Sequence, residues 1–183
     1  MIYKTVESSL ITFSQLMLPS HSNFSGKIHG GYLLSLMDQI AFACASKYSG
    51  KYCVTASVDR VDFLTPVEVG ELVTLNASVN FVGNTSMVIG IRVDSQNVQT
   101  GEIKHCNSSY FTMICKEENG DKTEAPKLIL RTPNEIRRFY KALHRIEEHK
   151  KAAQQVKNPM DYHSEELINY LLDNYNVKIH LEN

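Results

Sequence analysis

The chain has 183 residues, with 19 Lys and Arg against 20 Asp and Glu for a formal net charge of −1, and a hydrophobic fraction of 43 %. A domain of this length buries roughly 70 % of the surface its unfolded chain exposes. Its balanced charge gives no field for gripping a long polyanion, which excludes nucleic acid as an expected partner. The start MIYKTVESSL has neither an apolar run nor a small-residue cleavage site, and no stretch reaches the roughly 18 consecutive apolar residues of a membrane span. A cytoplasmic location without membrane insertion is therefore expected.

In chain order, residues 12–18 (TFSQLML) read as a short strand halted by Pro19, followed by the loop SHSNFSGKIHGG. Residues 31–46 (GYLLSLMDQIAFACAS) are apolar almost all the way round, the mark of a helix enclosed by other structure. Its few polar residues form one stripe: Ser35, Asp38 and Gln39, with Gly31 a turn earlier. Beyond Gly50 the apolar period changes to two. In residues 54–64 the parity runs 54, 56, 58 and then 61, 63, which suggests a bulge near Asp59-Arg60. Residues 73–81 alternate, and Met87, Ile89, Ile91 and Val93 alternate with Val88, Gly90, Arg92 and Asp94, with turns at Gly83-Asn84 and Thr100-Gly101, and residues 103–115 form the next strand. One strand, one buried helix and four strands on short turns predict an α+β chain, an antiparallel sheet curled around a helix in the outline of a hotdog fold.

After Cys115 a polar loop leads to Thr132-Pro133-Asn134-Glu135, a helix start with Thr as N-cap, Pro at the first position and Glu three residues after the cap. Ile136, Phe139, Tyr140, Leu143 and Ile146 make an apolar stripe. Asn158-Pro159 ends this helix, and Ser164 caps a second one carrying Leu167, Ile168, Leu171 and Leu172. The expected division is a hotdog domain over 8–130 and a C-terminal helical extension over 131–183. Cys44, Cys53, Cys106 and Cys115 contain no C-x-x-C pair and read as reduced, buried thiols. The seven histidines are scattered, so no metal site is expected.

The strongest chemical signal is residues 23–38, NFSGKIHGGYLLSLMD. Gly30 and Gly31 at a helix entrance let another group approach the backbone, where the unpaired N–H groups of the first turn suit an oxygen carrying negative charge. A carboxylate inside an apolar helix must be solvated, paired or used. Asp38 thus either reaches solvent, meets Arg60 or Arg92 in an ion pair, or serves as a general base or nucleophile. Asn23 and His29 add an amide and an imidazole near the same helix end, a set that suits hydrolysis of an activated carbonyl. No G-x-S-x-G turn, P-loop or G-x-G-x-x-G is present.

The segment SNFSGKIHGGYLLSLMDQIAFACAS, followed by VTASVDRVDFLTPVEVGELVTLNASVNFVGNTSMVIGIRV and SSYFTMI, resembles the acyl-CoA thioesterases of the hotdog fold, specifically the cytosolic acyl-CoA hydrolase group. The resemblance covers roughly residues 12 to 155, and residues after about 156 have no counterpart in it. It implies that two units pair their sheets with active sites at the interface, and that dimers commonly assemble as hexamers, trimers of dimers. It also implies roles. Asp38 matches the aspartate that activates the hydrolytic water, Asn23 the asparagine contributed across the interface, and Gly31 the amide that polarises the thioester carbonyl. Thr85 and Ser86 lie where the family contacts the pantetheine or nucleotide part of CoA. The expected substrate and product are acyl-CoA and free CoA, with His29 and Gly30 beside the substrate and no cofactor. The alternative is a non-catalytic acyl-CoA-binding hotdog protein that docks a partner through the basic helix around Arg137, Arg138 and Lys141. A hotdog dehydratase fits less well, since KIHGGYLL lacks that family's His-containing, proline-rich loop.

Overall fold

A computed structural model describes residues 2–156 and 163–179. The elements in order are β1 (Tyr3–Thr5), β2 (Ile11–Leu16), α1 (Gly30–Ser49), β3 (Tyr52–Val58), β4 (Glu71–Val82), β5 (Ser86–Asn97), β6 (Ile103–Lys116), β7 (Lys127–Ile129), α2 (Pro133–Val156) and α3 (Glu165–Asn174). Five of the strands form an antiparallel sheet in the order β2-β4-β5-β6-β3 with α1 against one face, as the sequence predicts. The short parallel pair β1–β7 is additional, because three-residue strands carry no period to read. The buried hydroxyl of Tyr48 near the end of α1 donates to the carbonyl of Lys127 (3.0 Å), tying this pair to the helix.

Alternation explains the core. Val73, Leu75, Ala77 and Val79 of β4 point inward with Met87, Ile89, Ile91 and Val93 of β5 and Phe111 and Met113 of β6. Leu33, Leu36, Met37, Ile40, Ala41, Cys44 and Ala45 of α1 complete the cluster. Each large side chain buried there contributes roughly 1.5–3 kcal/mol. Gly50 ends the helix in the left-handed region (φ 73°), its N–H bonded to Ser46 O at 2.8 Å. The helix is not enclosed, however: Gly31, Leu34, Ser35, Asp38, Gln39 and Phe42 are exposed. A sheet within one chain covers a helix on one side only.

Three bulges shape the sheet. In β3 the register slips between Thr55 and Ser57, so the irregularity lies at Ala56 rather than near Asp59-Arg60. Residues 59–64 are not strand but a strap along β6, with Leu64 N–H donating to Cys106 O (2.9 Å) and Asn107 Nδ2 to Asp62 O (2.8 Å). In β4 the slip lies between Val79 and Phe81, placing Asn80 over Gly90 so closely that a Cβ on Gly90 would stand 2.1 Å from Asn80 Nδ2. In β6 the extra residue is Cys106, between the pairs Val93–Asn107 and Asp94–His105.

The chain forms two compact units, Met1–Leu143 and His144–Asn183. In the first, the expected start of α2 is present: Glu135 N–H donates to Thr132 Oγ1 (3.2 Å) while Thr132 N–H donates to Glu135 Oε2 (3.1 Å). The expected apolar stripe is narrower, since Ile136 and Tyr140 are exposed; Phe139 meets Phe81 with ring centroids 5.0 Å apart, and Ala142 is buried. In the second unit Ser164 occupies the N-cap position of α3 without a side-chain cap bond. The expected stop at Asn158-Pro159 lies outside the described residues. All four cysteines are free and buried, and burial pushes the Cys44 thiol up to about 12.

Candidate active site

The open face of α1 carries the polar stripe. Asp38 stands two turns into the helix, and its Oδ1 accepts a hydrogen bond from Thr55 Oγ1 of β3 at 2.6 Å. Neither arginine offered by the sequence meets it: Arg60 Nε bonds Asp62 (2.8 Å) and Arg92 Nε bonds Asp94 (2.7 Å) on the other side of the sheet. The carboxylate is therefore held by a hydroxyl, with its second oxygen available to the open face. Sequence reading missed Thr55. The only signal lay in the short VTASV run, where bulging inverts the apparent parity: Cys53 and Thr55 face α1.

Because side chains on a helix lean toward its N-terminus, Asp38 leans along the stripe toward Gly31, about 10 Å of helix away. The two glycines differ in kind. A Cβ on Gly30 would lie 3.3 Å from the Phe63 ring, whereas a Cβ on Gly31 would meet nothing within 4 Å. Gly30 serves close packing and Gly31 opens onto the groove. His29 is the N-cap, its carbonyl accepting from Tyr32 N–H (3.0 Å) and Leu33 N–H (3.2 Å), and it is exposed. Beside it His21 stacks on Tyr32 at 4.0 Å between centroids, and Gln15 Nε2 donates to Tyr32 Oη (2.6 Å), a pair the sequence did not single out.

Asn23 organises its own loop. Its Oδ1 accepts from Ser25 N–H (3.0 Å), Ser25 Oγ (2.7 Å) and Lys27 N–H (3.2 Å), and Gly26 completes the turn at φ 75°. Its Nδ2 donates to none of the described residues. Within one chain Asn23 precedes the helix, while Asp38 lies about 12 Å along it from Gly30. The next residue, Phe24, is fully exposed.

A family model described as the thioesterase superfamily matches residues 25–102. A crystal structure of a hexameric acyl-CoA thioesterase superimposes with a TM-score of 0.81 at 36 % identity, covering 84 % of this chain and 98 % of that one. The chain belongs to the thioesterase superfamily. Protein VdlD of Helicobacter pylori is 46 % identical over 78 % of this chain and 82 % of its own. The acyl-CoA hydrolase of Staphylococcus aureus, solved with butyryl-CoA, CoA and CoA disulfide, aligns with a TM-score of 0.78 at 26 % identity over 93 % of this chain and 99 % of that chain. Further structures of that hydrolase carry alanine in place of one aspartate, one asparagine and one threonine.

In this thioesterase-superfamily chain the curled sheet and helix are the hotdog fold expected from the sequence. Thr85 and Ser86 lie at the β4–β5 hairpin, half-buried, with Thr85 O accepting from Cys115 N–H (2.9 Å) opposite Cys53. They thus sit at the end of the sheet where α1 finishes, away from the glycine entrance. Among the described residues no cluster of His, Cys, Asp and Glu is suited to a metal ion, and no helix is long and apolar enough to cross a membrane.

Proposed function

We propose that this chain hydrolyses acyl-CoA thioesters to free CoA and a carboxylic acid, with Asp38 as the general base. The observation that carries the reading is a carboxylate fixed by Thr55 on an open helix stripe that leads to the first-turn amide of Gly31. Asp38 accepts a proton from water as that water attacks the thioester carbonyl, the Gly31 N–H stabilises the oxyanion, and collapse expels the CoA thiolate, which takes up the proton. A positioned base supplies about 10²–10⁴-fold and one oxyanion donor about 10²–10³-fold. A thioester is already activated, so no cofactor is needed.

Asn23 is assigned to the site of a partner copy, where its Nδ2 positions water or substrate, with His29 and Gly30 lining the entrance. The surface around Asp38 supports this pairing. β3 is an edge strand, and Leu34, Phe42, Tyr52, Val58, Phe63 and Leu64 are exposed on or beside it. The replaced asparagine, aspartate and threonine of the Staphylococcus hydrolase are spaced along that chain as Asn23, Asp38 and Thr55 are here, which supports treating the three as one unit. Thr85 and Ser86 are assigned to the pantetheine or nucleotide part of CoA, residues 8–130 to the catalytic domain, and the assembly to a hexamer of three dimers like the hexameric relative. Four free thiols suit a reducing, cytoplasmic location.

The deciding experiment is thiol release from a panel of acyl-CoA substrates. Asp38→Ala should lower turnover at least a hundredfold with an unchanged melting temperature; turnover at the parent rate removes Asp38 as base. Mixing inactive Asn23→Ala and Asp38→Ala proteins should restore part of the activity through hybrid dimers, and no restoration would argue against a shared site.

A further inference from the structure

Two of the four free cysteines stand face to face. Cys53 of β3 is paired across the ladder with Cys115 of β6, and their sulfurs lie 3.8 Å apart. Cys115 turns its backbone away from β3, its N–H donating to Thr85 O (2.9 Å) and its carbonyl accepting from Thr123 N–H (3.1 Å), so no ladder bond joins the two cysteines. At such a position antiparallel strands bring their α-carbons to about 4.5 Å and their side chains closest, within the roughly 4.4–6.8 Å that a disulfide spans. Rotation of the two side chains is what closes the remaining gap to the ~2.05 Å of an S–S bond.

The contact acts oppositely on the two thiols. A hydrogen bond from Cys115 holds the Cys53 thiol below its ordinary value of 9.0; burial opposes it, and the α1 hydroxyls of Ser49, 3.4 Å from the sulfur, and Ser46 support it. The same bond, together with burial, pushes the Cys115 thiol up. One sulfur is thus an anion beside a second that keeps its proton. The other two cysteines lack this arrangement: burial raises both, and the thiols donate to backbone carbonyls, Cys44 to Ser9 O (3.2 Å) and Cys106 to Lys104 O (3.7 Å). Cys53 also lies next to the exposed Tyr52 at the start of an edge strand, where local opening admits a small oxidant.

We infer that Cys53 and Cys115 are a redox-active dithiol, a site of reversible oxidation by a small hydroperoxide such as hydrogen peroxide, with Cys53 attacking and Cys115 resolving. The Cys53 thiolate attacks one peroxide oxygen and the O–O bond breaks. Cys53 becomes a sulfenic acid, and the hydroxide released takes up the proton that the thiol had lost and leaves as water. The Cys115 sulfur then bonds to the Cys53 sulfur, the S–O bond breaks, and the departing hydroxide carries off the Cys115 proton as a second water. The two thiols lose two electrons and the peroxide gains them. A dithiol reductant restores both thiols, as befits a transient disulfide in a reducing compartment. The inference does not depend on the hydrolase reading, since neither thiol is used in that chemistry.

The full, reduced chain is treated with hydrogen peroxide, blocked with N-ethylmaleimide in denaturant and digested with trypsin. Reactive thiols should fall from four to two, and a peptide joining Cys53 to Cys115 should appear, both reversed by dithiothreitol. Cys106 shares a tryptic peptide with Cys115, so fragmentation must place the bond on Cys115. Cys115→Ser should stop at the Cys53 sulfenic acid and yield a dimedone adduct there, whereas Cys53→Ser should yield about tenfold less adduct at Cys115. Melts check the fold of both variants; if either fails to fold, iodoacetamide labelling of the native parent makes the same comparison, with Cys53 about tenfold faster than Cys115. Four thiols surviving excess peroxide, a bond to Cys106 instead, or Cys115 reacting as fast as Cys53 overturns the inference. Formation of this disulfide in a protein that hydrolyses no acyl-CoA would leave the inference standing and remove the hydrolase reading alone.

Discussion

The inner and outer faces of the five-stranded sheet are built from alternate residues of the same strands, yet they hold opposite chemistry. Along β4 and β5 the inner set is Val73, Leu75, Ala77, Met87, Ile89 and Ile91; the outer set includes Asn76, Ser78, Asn80, Arg92 and Asp94. The inner face is covered by α1, while on the outer face Arg137, Arg138 and Lys141 of α2 join the polar residues of the strands. The difference shows that a two-residue period does more than bury one face. It also delivers a dense array of polar groups to the other.

Four measurements would sharpen or break that contrast. The largest effect belongs to the inner face: Phe111→Ala should cost about 3–5 kcal/mol in urea unfolding, and a cost near zero would mean that the apolar face is not the folding core. On the outer face Gly90→Ala should cost about 1–3 kcal/mol, since its Cβ collides with Asn80; a neutral result would place that side chain elsewhere. At the open rim Thr55→Val should lower turnover roughly tenfold without shifting the melt, the size expected for one hydrogen bond to a charged group. Full activity in this variant would detach Thr55 from the base.

The smallest effect is a pH dependence. Glu71 is the one buried carboxylate among the described residues, accepting from Glu68 N–H (2.9 Å) and Ser95 Oγ (2.7 Å) with Lys104 Nζ at 2.7 Å. Burial raises its carboxyl, but these donors prevail and hold it below the ordinary 4.5. A folded-state value below the unfolded one means that the stabilisation is complete above about pH 4.5 and disappears as pH falls through the depressed value. Glu71→Gln should flatten that part of the acid stability profile, and an unchanged profile would assign acid unfolding to other groups.

Much of this architecture is legible in the sequence because it rests on period. The inner face, the long helix and the Thr132–Glu135 capping box each arise from local spacing. The edge strand β3 is misleading because five of its seven residues are exposed or nearly so within one chain, leaving no strong inside to fix its parity; the bulge accordingly lies at Ala56, not near Arg60. At the site, Asp38 is conspicuous as a carboxylate among apolar neighbours, and the glycine pair marks the helix entrance. Thr55 is invisible because a threonine in a strand is ordinary, and only the fold brings it to a residue 17 positions earlier. The outer face is legible in part: helical spacing groups Arg137, Arg138 and Lys141, but only the tertiary fold brings Arg92 of β5 beside them.

The bulge at Cys106 has a mechanical meaning. It turns His105 outward to Asp94 and, through Cys106 O and Asn107 Nδ2, fastens the strap whose Phe63 lies against Gly30 at the helix entrance. Three consecutive residues of one strand are thus a pivot between the polar network of one face and the doorway of the other. A substitution at any of the three therefore touches the Asp94 network or the packing of Phe63 against Gly30, although both lie far from it in sequence.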